Sequence, residues 1–137
     1  MSENKTLTWA LWYLEKMNFS VIPIKPGDKK PLIQWLPYQK ERATREQVVQ
    51  WWTENPTANV GIVTGEISDL GVIDIDTEEG RKNIEQYIPD TFIAPMVGTP
   101  RGGTHIYCKH EKGATNKAGV IPGTDFRGEG GFVVAPP

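Results

Sequence analysis

The chain has a single cysteine, Cys108, in 137 residues. It therefore has no intramolecular disulfide and no cysteine-built zinc site. No apolar run approaches the roughly 20 residues of a membrane-spanning helix. The opening residues Met1-Ser2-Glu3-Asn4-Lys5 carry no signal-peptide pattern. These absences together are the pattern expected of a cytoplasmic protein with no membrane contact. There is also no internal repeat, no low-complexity tract and no Pro/Gly-rich linker between folded halves. Net charge is small as well, −2, and so gives no global sign of nucleic-acid binding.

What is present is an ordinary globular composition, 38% hydrophobic and 23% charged, which predicts one soluble domain with a real core. The charge is unevenly spread. Residues 1–63 carry eight Lys/Arg against six Asp/Glu, residues 64–99 carry two against eight, and residues 100–137 carry five against three. The acidic middle is where a cation would be most useful, and the flanks are able to supply basic contacts to phosphates. A solvated acidic helix face on Glu78, Glu79 and Glu85 explains part of the imbalance equally well.

The middle of that acidic stretch is Val72-Ile73-Asp74-Ile75-Asp76-Thr77. Gly71 to Ile75 predicts a buried strand, apolar and β-branched. Alternation across a strand puts Asp74 and Asp76 on one face and Ile73 and Ile75 on the other. Two carboxylates on one face repel, and burying them unpaired is costly. A hard divalent cation such as Mg²⁺ or Mn²⁺ relieves both problems, with carboxylate and phosphate oxygens as ligands. The competing reading is a helix cap: Asp76 or Thr77 opening a helix over 77–87, with Glu78 and Glu79 in its first turn.

In chain order, residues 6–17 predict an amphipathic helix in which Leu7, Ala10, Leu11 and Leu14 recur at helical spacing, with Trp9, Trp12 and Tyr13 widening the apolar face. Residues 19–24 predict a strand, which Pro23 places at an edge. Lys25-Pro26-Gly27-Asp28-Lys29-Lys30-Pro31 is a basic turn: Lys29 and Lys30 are either phosphate or DNA contacts or simply solvated. Thr44-Arg45-Glu46-Gln47 fits a capping box, opening a helix that Asn55-Pro56 ends. Its Trp51 and Trp52 are expected in the core. Residues 60–64 predict a further strand, and residues 91–97 another, held at an edge by Pro95.

Two later stretches are informative. Pro100-Arg101-Gly102-Gly103 predicts a tight glycine loop whose amides can approach an anion. The strand that leaves it carries His105 and Tyr107 on one face. A lone histidine is most often structural, but one placed just after Arg-Gly-Gly is a better phosphate contact. Farther on, Asp125 and Arg127 share a face around Phe126, ahead of a glycine-rich turn and a final strand over 132–135.

These three stretches, in this order, resemble the primase-polymerase (prim-pol) domain of the archaeo-eukaryotic primase superfamily, as found in plasmid, phage and mobile-element replication proteins. Val72-Ile73-Asp74-Ile75-Asp76 is similar to its first motif, a hydrophobic strand ending in Asp-x-Asp. Gly102-Gly103-Thr104-His105-Ile106-Tyr107 is similar to the second. Asp125-Phe126-Arg127-Gly128-Glu129-Gly130-Gly131-Phe132-Val133-Val134-Ala135-Pro136-Pro137 is similar to the third. The flanks Pro23-Ile24-Lys25-Pro26-Gly27, Lys29-Lys30-Pro31, Trp51-Trp52 and Asn59 to Gly65 extend the resemblance over nearly the whole chain.

The resemblance implies an α+β fold: an RRM-like catalytic sheet with helices, over 66–137, joined to a small N-terminal α/β module over 1–65. It implies that Asp74, Asp76 and Asp125 hold two divalent cations, Mg²⁺ or Mn²⁺. His105 would contact the triphosphate of the incoming nucleotide, with Arg101, Gly102, Gly103 and Arg127 as further nucleotide-binding groups. Two such cations activate the attacking hydroxyl and stabilise the leaving pyrophosphate. The implied activity is that of a DNA primase and DNA polymerase acting on dNTPs or NTPs with a single-stranded DNA template, in company with a helicase module or protein. Domains of this kind normally continue past the Ala-Pro-Pro segment, so a truncated C-terminus is expected. Three rivals stand beside this reading. An Asp-x-Asp glycosyltransferase leaves His105 and Asp125 unexplained. A replication-initiator nuclease wants a His-x-His pair, whereas His105 and His110 are five apart. A nucleotide- or DNA-binding module that has lost activity fits the short C-terminus.

Overall fold

The computed structural model describes residues 4–87, 96–98, 103–110, 117–118 and 124–136. They form three α-helices and two antiparallel sheets, an α+β fold. Helix α1 (Lys5–Glu15) starts where the Asn4 side chain accepts hydrogen bonds from the Thr6 and Leu7 amides. It buries Ala10, Tyr13 and Leu14, while Trp9 and Trp12 stay about half exposed. The apolar face is thus narrower than its aromatic content predicts, and only Tyr13 of the three aromatics turns inward. Helix α2 (Arg45–Glu54) is capped by the Thr44 hydroxyl, which accepts from the Gln47 amide at 3.2 Å. Trp51 and Trp52 are buried as expected, and the Trp52 indole donates to the Ala58 carbonyl at 3.0 Å.

The first sheet has strand order β1 (Ser20–Ile24), β2 (Asn59–Val63), β8 (Phe132–Ala135). Pro23 does lie on an edge strand, where no ladder partner needs its missing N–H. One face of this sheet carries Val21, Val60, Ile62, Val133 and Ala135 into the main core beneath α1 and α2. The other packs Ile22, Ile24 and Val63 against Trp35, Tyr38 and Phe132.

The second sheet contains β3 (Gly71–Ile75), β4 (Met96–Gly98), β5 (Thr104–Cys108), β6 (Lys117–Ala118) and β7 (Thr124–Arg127), in the order β4-β5-β3-β7-β6. Most of the strand expected over 91–97 lies outside the described residues, which here show β4 alone. Helix α3 (Glu78–Tyr87) covers one face, where Ile84 packs on Ile75 and Ile106. On the opposite face Val72 and Tyr107 join the main core, so the two sheets share it. Among the described residues no helix is long and apolar enough to cross a membrane.

The last strand returns to the first sheet through a corner built on backbone polar groups. The Thr64 hydroxyl donates to the Gly128 carbonyl at 2.6 Å, and the Thr64 amide donates to Gly131 at 2.9 Å. Gly65 sits at φ 102°, and a Cβ there would stand 3.0 Å from the Glu129 Cα and closer still to its carboxylate. Glu129 in turn accepts the Glu66 amide. Gly65→Ala should therefore lower the stability measured by urea unfolding by about 1–3 kcal/mol, from backbone strain and the clash together. An unchanged midpoint would show that the corner has room for a side chain.

Candidate active site

Strand β3 is central in its sheet, so each of its residues has a partner on both sides. Asp74 faces His105 on β5 and Asp125 on β7. Directly opposed residues on neighbouring antiparallel strands bring their side chains together on one face. The row next to it, Tyr107–Val72–Arg127, runs from the shared core to the edge of the site. Three segments far apart in sequence thus put one histidine and two carboxylates in line. Asp76 follows immediately after the end of β3. One carboxylate oxygen from each of Asp74, Asp76 and Asp125 can be chosen so that all lie within 4.8 Å of one another.

The cap question resolves in favour of Thr77, whose hydroxyl accepts the Gly80 amide at 2.9 Å. The carboxylate of Asp76 is left for the cluster. Burial differs sharply within the group: Asp74 and His105 are only 8% and 9% exposed, Asp125 is half-buried and Asp76 is exposed.

The electrostatics follow from that arrangement. His105 Nε2 lies 3.4 Å from Asp74 Oδ1, an ion-pair distance, and that buried oxygen has no hydrogen bond among the described residues. The polar contact with His105 holds Asp74 below the ordinary carboxylate range, against the opposing effect of burial. Asp76 is pushed up instead, first by the partial desolvation of its carboxylate among its neighbours although the residue is exposed, then by the negative charge of Asp74, with Lys29 and His105 pulling the other way. Arg127 stands 4.0 Å from Asp125, and its charge also reaches Asp74.

Neighbouring carboxylates that repel one another, and a buried carboxylate oxygen with no hydrogen-bond donor among the described residues, suit a hard cation with oxygen ligands. The donor set therefore fits Mg²⁺ or Mn²⁺.

The nucleotide-binding expectations are only partly covered. Arg101 and Gly102 lie outside the described residues. Gly103 is buried directly before β5. His105 keeps a second ring nitrogen, Nδ1, buried and without a partner among the described residues. Lys29 is the residue whose relation to the site the sequence left open. Its membership of a lysine-rich turn is visible in the sequence, but the electrostatic pull of its charge on Asp76 is not.

A family model described as Prim-Pol, bifunctional DNA primase/polymerase, N-terminal, matches residues 10–137. The chain belongs to the Prim-Pol family. Comparison with curated proteins gives no match. At the level of the family, a Prim-Pol domain points to nucleotidyl transfer of the primase/polymerase type with DNA and nucleotide substrates.

The charge pattern of this Prim-Pol domain has a measurable sign. Asp74, held low, contributes stability above its unfolded pKa that is lost as pH falls through its folded value. Asp76, held high, costs stability once pH rises past its unfolded value. Asp76→Asn should therefore raise the melting temperature of the metal-free protein at neutral pH, by less than about 1 kcal/mol equivalent given its exposure. The same variant should lose most of the stabilisation that Mn²⁺ gives the native chain. In the native chain that stabilisation should shrink as pH falls toward the carboxylate range, because bound carboxylates must be ionised. Calorimetric melts with and without Mn²⁺ check all three, and an Asp76→Asn melt below that of the native protein would contradict the repulsion.

Proposed function

We propose that the domain catalyses template-directed nucleotidyl transfer, as a DNA primase and DNA polymerase in the replication of a plasmid, phage or mobile element. The observation that carries this reading is the register that sets Asp74 between His105 and Asp125, with Asp76 at the end of the same strand. In it Asp74, Asp76 and Asp125 hold two divalent cations, Mg²⁺ or Mn²⁺. When bound, these activate the attacking 3′-hydroxyl and stabilise the pyrophosphate leaving group.

The side chains of the domain have the remaining tasks. Asp74, fixed by strands on both sides, gives the cluster a rigid anchor. Asp76 and Asp125 are the more open carboxylates, on the side from which substrate arrives. His105 and Arg127 donate to triphosphate oxygens, with Gly103 and the preceding Arg101 and Gly102 as further donors. In this reading no side chain acts as a nucleophile, since the primer hydroxyl attacks. Single-stranded DNA is the template, dNTPs or NTPs are the substrates, and a helicase is the partner that exposes the template.

The decisive experiment is extension of a labelled primer on a DNA template with dNTPs and Mg²⁺ or Mn²⁺. Metal-dependent extension is expected, and Asp74→Ala or Asp125→Ala should reduce it by at least about 10³-fold with the fold retained by circular dichroism. His105→Ala should act chiefly by raising KM for the nucleotide. Full activity in Asp74→Ala would refute the site assignment. Absence of extension by the native domain, with metal-dependent nucleotide binding retained, would identify a binding module in place of a polymerase.

A further inference from the structure

Helix α1 turns a stripe of four side chains outward. Lys5, Trp9, Trp12 and Lys16 follow one another at intervals of four, three and four positions, the spacing that lines up side chains on one face of a helix. All four are exposed, Trp9 by 44% and Trp12 by 43%. The two indoles touch edge to face, with ring centroids 5.6 Å apart. Behind them the buried Tyr13 ring packs 6.0 Å from Trp9 and 5.5 Å from Trp12, and its hydroxyl is tied to the Pro136 carbonyl. The exposed rings therefore stand on a fixed aromatic base. The core beneath α1 also takes Val72 and Tyr107, which lie two positions from Asp74 and His105 on their strands. One packed core thus supports both the stripe and the acidic cluster.

Single exposed aromatics are ordinary, but two in contact on one helix face form a patch suited to a ligand. Charge around the patch indicates which ligand. A lysine stands at each end of the stripe. The one acid in α1 is Glu15, and it is ion-paired with Arg45 of α2. Aromatic rings between cations, with the helix's own carboxylate already matched, are complementary to a polyanion that carries flat apolar groups. Single-stranded nucleic acid is held in this way, bases stacking on aromatic side chains while basic residues follow the phosphates. Lys5 and Lys16 are eleven positions apart, about 16 Å along the axis at about 1.5 Å per residue. About four or five stacked nucleotides span that length at about 3.4 Å each. A duplex keeps its base faces covered and cannot use the indoles.

We propose that the outer face of α1 binds single-stranded DNA, with bases stacked on Trp9 and Trp12 and phosphates on Lys5 and Lys16. In taking the strand to be DNA the inference rests on the nucleotidyl-transfer reading, and its test reads binding without turnover. Anisotropy of a labelled oligodeoxynucleotide of about 12 nucleotides would be followed in EDTA. The proteins are the native chain, Trp9→Ala/Trp12→Ala, Trp9→Phe/Trp12→Phe and Lys5→Gln/Lys16→Gln. A duplex and an abasic strand of the same length are the comparison ligands. Circular dichroism checks the fold, and sedimentation velocity checks the association state.

The alanine pair should weaken single-strand binding at least about tenfold, and the phenylalanine pair should recover most of that loss. The native chain should bind the abasic strand and the duplex more weakly than the normal strand, and the alanine pair should remove that preference. Lys5→Gln/Lys16→Gln should lower the slope of log affinity against log salt by about 1.4, two phosphate contacts at about 0.7 each. Unchanged single-strand affinity in the alanine pair would overturn the proposal. So would equal native affinity for the normal and abasic strands, a comparison that stands even if the alanine pair does not fold. A native dimer that the alanine pair breaks, with DNA affinity unchanged, would make the face a contact between copies of the chain and overturn it too. Native protein that extends primers while the stripe variants bind DNA as it does would sink the inference and leave the polymerase reading standing. Native protein that binds single strands through the stripe but extends no primer would do the reverse.

Discussion

Pairing of β5, β3 and β7 in one register is the constraint on which the site depends. It sets Asp74 between His105 and Asp125, and no local sequence preference achieves that. Side chains alternate with a period of two, so a slip of one residue would turn His105 or Asp125 to the α3 side. The apolar partners fix the register. Ile73 opposes Ile106 and Phe126, and the α3 face buries Ile75, Ile84 and Ile106. Gly71 adds a lock, since a Cβ there would stand 2.9 Å from the Phe126 ring. The ring covers the glycine diagonally across the strand pair, a contact available in only one alignment. The core on one face of the sheet thereby specifies the chemistry on the other.

The second dependency is between sheets. β8 follows β7 in sequence but hydrogen-bonds to β2, so the N-terminal sheet is completed by the end of the chain. Polar groups at the corner are satisfied internally: Thr64 bonds Gly128 and Gly131, and Glu129 takes the Glu66 amide. The Tyr13 hydroxyl donates to the Pro136 carbonyl at 2.8 Å, holding α1 to the segment after β8. Burial of Val72 and Tyr107 with residues of α1, α2 and the first sheet joins the two sheets through side chains as well.

What was legible in the sequence was local. Helix α2 announced itself through Thr44 and Gln47, and β3 through its β-branched run, because caps and period-two patterns are encoded within a few residues. Asp74 and Asp76 were legible as a pair for the same reason. Their relation to His105 and Asp125 came from motif order, since pairing between strands thirty or more residues apart leaves no short-range signal. The return of β8 to β2 was invisible on the same ground. Trp9 and Trp12 show the reverse failure: their hydrophobicity predicts burial, but the inward face of the helix is taken by Ala10, Tyr13 and Leu14, with Leu7 and Leu11 packed partly against the core. Thr77 was one of two caps consistent with the sequence, and only its bond to Gly80 separates it from Asp76.

The unequal burial of Asp74, in β3, and Asp76, just after it, has a consequence for how the site works. Asp74 has its charge stabilised locally by His105, so it stays ionised in the free protein and the anchor is ready before any ligand arrives. Asp76, at the open end, has its charged form disfavoured by partial desolvation and by the charge of Asp74 until positive charge is supplied. The energetic penalty of concentrating acid is thus placed on the exposed residue, where an arriving cation can relieve it and where Lys29 relieves it in part. Reversing the roles would bury the repulsion, where it destabilises the fold most, and leave the surface carboxylate with less to gain from a ligand. A central strand that ends one residue before Asp76 produces the useful order of burial with no further device.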